Sequence, residues 1–229
     1  RYCTRYKSRA SVARGSWTHV VATENGTSMN VYQDGTLVAS RDDAQEPTSM
    51  TRANHWLGRS PWGSDGYFQG AIKTMQIWSR ALDAAEVASL YALGGACLAT
   101  PSAAPTPAPS PAPTVSAVPT PMPTVTFAPT PYDIAVGLDH SLCFDQCELA
   151  DQVGGMDATL MNNATCTPGG GVVFDGTDDY VDLVDQSLGG EMSVAFWAKW
   201  GALNYWSGLC DFGDTFEDDN IRISNYQTT

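Results

Sequence analysis

The first part of the chain alternates between apolar and polar residues in a way that predicts short antiparallel strands. Trp17–Thr23 is rich in β-branched and aromatic residues, and the Asn25-Gly26 pair that follows is typical of a tight hairpin turn. Ser28–Gln33 predicts a second strand, Asp34-Gly35 a second turn and Thr36–Ser40 a third strand. This region therefore begins as a β-meander.

Two later segments complete this pattern. In the stretch that ends at Trp78, strict alternation places Ile72, Thr74, Gln76 and Trp78 on one face, with apolar residues on the other face too, so we expect a strand that is covered on both sides. The segment 82–91 predicts the one helix. Its signals are a capping box of Asp83 with Glu86 and a buried stripe of Val87, Leu90 and Tyr91.

The second part of the chain has a similar pattern. Val172–Phe174 predicts a strand, Asp178–Leu183 an alternating strand and Met192–Trp200 a long apolar and aromatic strand. Leu209–Phe212 and Asn220–Ile223 predict two more. The fold class predicted from both parts is all-β, an antiparallel sandwich or jelly roll with one short helix.

Residues 99–131 form a spacer that separates these two pieces, 1–98 and 132–229. The spacer holds 11 of the 14 prolines, mixed with Ala, Thr, Ser and Val. Because proline fixes φ and lacks a backbone donor, the segment can build neither a helix nor a sheet. We expect a semi-rigid linker outside the core.

Charge is distributed unevenly between the pieces. The first carries a net charge of +2 and the second a net charge of −15, which gives the overall −13. Such an acidic half argues against nucleic acid or an anionic membrane as a partner, and no stretch approaches the length of a membrane-spanning helix. Acidic loops that serve only solubility and loops that bind calcium both fit this charge.

The six cysteines point to an oxidising compartment. They include no metal-type C-x-x-C motif, and their even number beside a Pro/Thr/Ser spacer favours disulfides in a secreted or cell-surface protein. Two glycosylation sequons, at Asn25 and Asn163, agree with this. Cys147 and Cys166 are close in the chain and flank one loop, so we expect them to pair, although six cysteines allow 15 pairings.

No arrangement of residues predicts catalysis. The three histidines are scattered, no nucleophile elbow occurs, and the densest acidic run, 217–219, is contiguous, so its side chains point to opposite faces. Binding is a better prediction. Trp62 and Asp65 in one loop, and Tyr205 and Trp206 in another, lie among turn-forming residues and could contact a sugar ring or a protein, or could instead fold back onto the sandwich.

The sequence also suggests three calcium ligands and four buried tryptophans. Asp151, Asp178 and Asp179 are the calcium candidates because their loops could bring carboxylate oxygens together. The four tryptophans that lie within predicted strands are expected in the core, namely Trp17, Trp56, Trp78 and Trp197.

The order of these motifs resembles a known family. The runs WTHVVAT from Trp17, MNVYQDGTLVAS from Met29 and GAIKTMQIWSRALDAAEVASLY from Gly70 resemble the C-terminal half of a laminin-G-like, concanavalin-A-like jelly-roll domain. In the second piece, VVFDGTDDYVDL from Val172 and MSVAFWAKW from Met192 resemble the N-terminal half. Many relatives carry an acidic pair after the isoleucine at position 72, where this chain has Lys73-Thr74, which weakens a metal site there.

The resemblance implies an excerpt of a secreted array of such domains, with the end of one module before the spacer and the start of the next after it. The two pieces could also close into a single permuted sandwich, with Met192–Trp200 and Ile72–Trp78 in one core. In this fold the domain ends are neighbours, which implies a Cys97–Cys143 bridge and leaves Cys3 with Cys210.

Three functions fit this family. We expect a non-catalytic extracellular binding or adhesion module for a glycan or protein ligand. The alternatives are a carbohydrate-binding appendage of a secreted glycoside hydrolase and a structural cell-wall or coat module.

Overall fold

The computed structural model describes residues 12–98, 134–213 and 220–225. Fifteen strands and one helix lie in these ranges. The first piece contains β1 (Trp17–Asn25), β2 (Ser28–Gln33), β3 (Thr36–Arg41), β4 (Met50–Thr51), β5 (Asn54–Leu57), β6 (Gln69–Trp78) and α1 (Ala84–Ala92). The second contains β7 (Leu138–Cys143), β8 (Ala158–Met161), β9 (Thr165–Thr167), β10 (Gly171–Asp175), β11 (Tyr180–Leu183), β12 (Ser187–Leu188), β13 (Met192–Ala202), β14 (Gly208–Gly213) and β15 (Ile221–Ser224). The spacer, 99–131, lies outside the described residues.

Two antiparallel sheets form a sandwich, which confirms the predicted jelly-roll fold class. The larger sheet has the order β3-β2-β1-β13-β6-β10-β9, and β7 pairs with the part of β6 that β10 leaves free. The smaller has the order β15-β14-β5-β11-β8, and β12 pairs with β4 in a two-stranded ribbon.

In both sheets, a strand from one side of the spacer lies between strands from the other side. β13 lies between β1 and β6, with Val20 opposite Phe196 and Phe196 opposite Met75. In the smaller sheet β5 lies between β14 and β11, with Leu57 opposite both Cys210 and Val181. Without the second piece, β1 and β6 would have no strand between them, and their apolar faces would be exposed.

The main core fills the space between the sheets. It is built from inward-facing side chains of both pieces, including Leu57, Ile72, Met75, Phe196 and Phe212, all of which are fully buried. A second cluster lies on the outer side of the larger sheet, where Trp78 and Val21 pack under Val87 and Leu90 of α1. The strand β6 is thus covered on both sides, as expected.

A bulge changes which residues of β6 face the core. Thr74 pairs with Trp197 and Ile72 with the adjacent Ala198, so Lys73 is an extra residue in the ladder. After this residue the alternation reverses, and Met75 joins Ile72 in the main core. The prediction that Ile72, Thr74, Gln76 and Trp78 share one face is therefore wrong.

The helix forms at the predicted capping box. The Asp83 carboxylate accepts bonds from the Ala85 and Glu86 backbone N–H groups, both at 2.8 Å, and the Glu86 carboxylate accepts from the Asp83 N–H at 2.8 Å. Tyr91 differs from its prediction because it lies at the edge of the packed stripe and stays 39% exposed. Its ring instead stacks on Trp197, with centroids 5.7 Å apart.

Candidate ligand-binding site

The buried side chain of Arg222 joins the two loops that carry the candidate ligand-binding residues. From β15, its Nη2 donates to Asp65 Oδ2 at 2.7 Å and to the Trp206 carbonyl at 2.6 Å. Its guanidinium carbon lies 5.1 Å from the centroid of the Trp62 ring, a cation–π distance. One cation thus connects Trp62, Asp65 and Trp206.

The loop 60–65 is closed by its own hydrogen bonds. Ser60 Oγ donates to Asp65 Oδ2 at 2.8 Å and accepts from the Trp62 N–H at 3.3 Å, and the Asp65 N–H donates to the Trp62 carbonyl at 3.0 Å. The Asp65 side chain is only 8% exposed, and both Ser60 and Arg222 bond to the same oxygen, Oδ2. Its carboxylate organises the loop and has little surface for a ligand.

The second loop is fixed directly onto the first. The Gly66 N–H donates to the Tyr205 carbonyl at 2.7 Å, and Asn204 Nδ2 donates to the Tyr67 carbonyl at 2.9 Å. A Cβ on Gly66 would lie 2.8 Å from Asn204 Cβ, so this close approach requires glycine. The loops therefore form one surface.

The exposed rings of this surface belong to three residues. Tyr205 is 53% exposed, Trp62 and Trp206 are half-buried, and the Tyr205 and Trp206 rings meet edge to face at 5.9 Å. We call Trp62, Tyr205 and Trp206 the aromatic loop surface. Aromatic side chains on a firmly held backbone can stack on a flat ligand with little loss of conformational entropy.

Asp211 is a second carboxylate behind this surface. It lies opposite Arg222 in the ladder, with its Oδ2 3.5 Å from Arg222 Nε, and its Oδ1 accepts from Asn220 Nδ2 at 3.4 Å. Burial raises the pKa of Asp211 to about 7, with Arg222 opposing the rise and Asp65 adding to it. The side chain is 1% exposed, so no ligand can reach it.

The outer face of the smaller sheet extends this surface, and sequence reasoning missed it. Trp56 alternates with Leu57, whose side chain faces the main core, so it lies on the outer face of β5 and is half-buried. Of the four tryptophans predicted for the core, Trp78 belongs to a core cluster, whereas Trp17, Trp56 and Trp197 are half-buried, so the prediction is wrong for these three. The Arg59 guanidinium lies over the rings of Trp56 and Tyr180, at 4.3 and 4.7 Å. Arg222 was also missed, although it is one of two cations after the spacer.

Two of the three calcium candidates lie in one acidic cluster. Asp178 and Asp179 join Asp175, and one carboxylate oxygen from each lies within 4.8 Å of the others. Asp179 is buried and connects two turns, since it accepts from the Asn163 N–H at 3.0 Å and the Asp175 N–H at 2.9 Å. Asp175 accepts from the Thr177 N–H at 2.7 Å.

Both carboxylate oxygens of Asp151, the third candidate, are already bonded to groups of the protein. Oδ1 accepts from the Ser141 and Val153 N–H groups, while Oδ2 lies 2.7 Å from His140 Nδ1 and accepts from the Met156 N–H at 2.9 Å. Burial alone would raise the pKa of Asp151, but these hydrogen bonds outweigh it and hold the pKa well below its usual range. Its geometry is that of a buried residue that organises a loop.

Comparison with protein families identifies the first piece. Residues 3–88 match the family model described as the concanavalin A-like lectin/glucanases superfamily. The match covers the first piece of the chain and stops within α1. No curated protein and no solved structure matches the chain.

Two disulfides join parts of the sandwich as predicted. Cys97–Cys143 connects the region after α1 to β7, across the spacer, and Cys147–Cys166 closes the loop that contains Asp151. The Cα atoms of each pair are 5.6 Å apart, an ordinary disulfide distance.

The predicted Cys3–Cys210 bridge is not formed. Cys210 has a free thiol, and Cys3 lies outside the described residues. The physical reason is that Cys210 faces inward from the central strand β14 into the main core, and burial raises the pKa of its thiol far above the usual value. It behaves as a small apolar core residue.

No helix among the described residues is long and apolar enough to cross a membrane. This finding concerns helices alone.

Proposed function

We propose that this protein is a non-catalytic extracellular binding module and that it holds a carbohydrate on the aromatic loop surface. The observation that carries the proposal is the bridge by Arg222, which fixes Trp62 beside the loop of Tyr205 and Trp206. The match to a superfamily described by lectins and glucanases supports a carbohydrate as the ligand class. The two disulfides support an oxidising, extracellular location.

The chemistry of the surface favours a sugar. The apolar face of a pyranose packs well on an aromatic ring, and its hydroxyl groups need polar partners close by. Tyr205 offers both an exposed ring and a phenol, while Arg59 and Asn204 lie in or beside the same loops. A protein ligand is the second candidate, because Tyr, Trp and Arg are also enriched in the centres of protein interfaces.

The surroundings of Asp65 and Asp211 support binding without hydrolysis. Glycoside hydrolases need two carboxyl groups that flank the scissile bond, one as acid and one as base or nucleophile. Asp65 and Asp211 are the carboxylates that contact Arg222, but their side chains are 8% and 1% exposed. Neither can approach a glycosidic oxygen while the two loops remain in place.

A glycan array with the full chain, followed by calorimetry on the best glycan, tests the proposal. We expect Tyr205→Ala and Trp62→Ala to weaken binding at least tenfold, because each removes a stacking ring. Leu37→Ala is the matched control, since Leu37 is equally exposed but lies on β3 of the other sheet. Binding that survives both aromatic substitutions would place the ligand elsewhere, and release of reducing sugar that depends on Asp211 would make the protein an enzyme.

We also propose calcium at Asp178 and Asp179, two of the three candidates from the sequence, with Asp175 as a further ligand that the sequence did not suggest. The three carboxylates are close enough to share an ion, and those of Asp175 and Asp178 are exposed. We expect calcium to raise the melting temperature of the wild-type chain and expect Asp178→Asn to reduce that rise. If calcium raises the melting temperature of the Asp178→Asn variant as much as that of the wild type, the ion does not bind at this cluster.

A further inference from the structure

Glu24 is a buried carboxylate that has no hydrogen-bond donor within the part of the chain that the structure describes. It lies near the end of β1 and is 4% exposed, and neither of its Oε atoms has a partner. Its register neighbours are the buried Met29 on β2 and Met192 on β13. An ionised carboxylate enclosed by apolar side chains is strongly unfavourable unless a proton or a cation compensates it.

A second carboxylate, that of Glu46, lies beside the turn that follows β1, two residues beyond Glu24 in the chain, near Gly26. The loop 44–47 is attached at both ends, because the Ala44 N–H donates to the Thr27 carbonyl at 2.9 Å and the Gly190 N–H donates to the Pro47 carbonyl at 2.7 Å. The loop is therefore clamped between the β1–β2 turn and the turn that precedes β13.

Two glycines border the Glu46 carboxylate. Its Oε2 lies 4.0 Å from the position that a Cβ on Gly26 would occupy, and its Oε1 lies 3.5 Å from the corresponding position on Gly190. Both glycines have positive φ, +62° and +74°. Their bare backbones leave room beside the carboxylate that larger residues would fill.

The charges around this pair are mostly negative. Burial, and to a smaller extent the charge of Glu46, raise the pKa of Glu24 to about 7 against the opposing effect of Arg41. The Arg41 guanidinium, however, donates from Nε to Asp43 Oδ1 at 2.8 Å. Asp42 lies on the same loop, and Glu191 contacts the β1–β2 turn through Asn25. The other nearby cation, Arg52, is buried and donates to the carbonyls of Thr48 and Leu188.

We infer that Glu24 and Glu46 form a binding site for a hard divalent cation, with calcium as the natural probe. Carboxylate oxygens are the ligands that such ions prefer, and a bound ion neutralises the buried charge. It also joins three segments that meet here: the end of β1, the loop 44–47 and the turn before β13. This site shares no residue with Asp175, Asp178 and Asp179.

The test uses the full chain with Asp178→Asn, so that the other acidic cluster is weakened. Calcium is titrated at pH 7.5 by calorimetry, and the Glu side-chain carboxyl carbons are followed by ¹³C NMR. We expect one bound ion, with the Glu24 and Glu46 signals shifting together. Glu24→Gln should weaken binding at least tenfold and Glu46→Gln should weaken it measurably, while the exposed Glu148→Gln serves as the matched control.

Thermal unfolding supplies a second measurement. Because Glu24→Gln removes the buried charge, we expect it to melt at a higher temperature than its parent without calcium and to gain nothing when calcium is added. The inference is overturned if the parent chain binds no ion and Glu24 is simply protonated at neutral pH. It is equally overturned if calcium binds but the Glu24 signal does not move. Both results are independent of glycan binding.

Discussion

Val20 and Phe196 face each other on adjacent antiparallel strands, although the proline-rich spacer separates them in the sequence. Both side chains belong to the main core, and Phe196 is fully buried. The pair shows why the two pieces depend on each other: β13 fills the place between β1 and β6, and its inner face completes the core of the first piece.

We predict that residues 1–98 and 132–229 unfold together. Phe196→Ala leaves a cavity between both pieces and should lower the free energy of unfolding by about 3–5 kcal/mol. Denaturant unfolding, followed by tryptophan fluorescence and by NMR signals from each piece, should show one transition. Val184→Ala is the control, because this residue is 51% exposed and should change stability by less than about 0.5 kcal/mol. Two separate transitions would show that the pieces fold independently.

We predict that Arg222 is required for the two loops to stay together. Arg222→Met leaves the Asp65 and Asp211 carboxylates buried without their cation and should cost about 3–5 kcal/mol of stability. The double variant, Arg222→Met with Asp65→Asn, should lose less stability than the sum of the losses in the two single variants, because both substitutions remove the same interaction. Strict additivity in a double-mutant cycle would contradict the bridge.

We predict that Asp151 stabilises the fold in a pH-dependent way. Its pKa in the folded state lies below the unfolded value of about 3.9, so its contribution is full above roughly pH 5 and is lost as the pH falls through the folded pKa. Asp151→Asn should therefore be clearly less stable than wild type at pH 7, with a smaller difference near pH 3. Urea unfolding of both proteins across this range measures it, and a constant difference would refute the prediction.

We predict that His19 is neutral in the folded protein at pH 7. Burial lowers its pKa to about 4, against a smaller opposite effect of Asp34, and its ring contacts those of both Tyr91 and Trp197. The unfolded chain takes up this proton near pH 6.5, so stability should fall by up to about 3 kcal/mol as the pH drops from 6.5 to 4. His19→Gln should lack this component of the pH dependence. If NMR shows that His19 in the folded protein titrates with a midpoint near pH 6.5, the prediction is wrong.

Features set by neighbouring residues were predictable from the sequence. The capping box of Asp83 and Glu86 begins α1, and Asp34 and Gly35, with φ of 50° and 76°, make the second hairpin turn. The first turn lies one residue later than expected, because Asn25 still pairs with Ser28. The Cys147–Cys166 bridge also spans a short loop. Each of these features is produced by residues that are close to one another in the chain.

The candidate site depended on information that the sequence does not show locally. Trp62, Asp65, Tyr205 and Trp206 could be selected as loop residues, but their meeting depends on Arg222, which arrives from a separate strand. The position of Trp56 on the outer face follows from which face of β5 the main core covers.

By itself, the sequence determined the all-β class, the helix, most turns and the family resemblance, because strand period, turn chemistry and capping are local. Only the tertiary structure decided that β13 lies between β1 and β6, that the bulge at Lys73 moves Met75 into the core and that Cys210 has no partner. It also decided that Glu24 is buried at the end of β1 with no hydrogen-bond partner among the described residues. These outcomes depend on which distant segments pair and in which register, and that choice is made by the packing of the whole core.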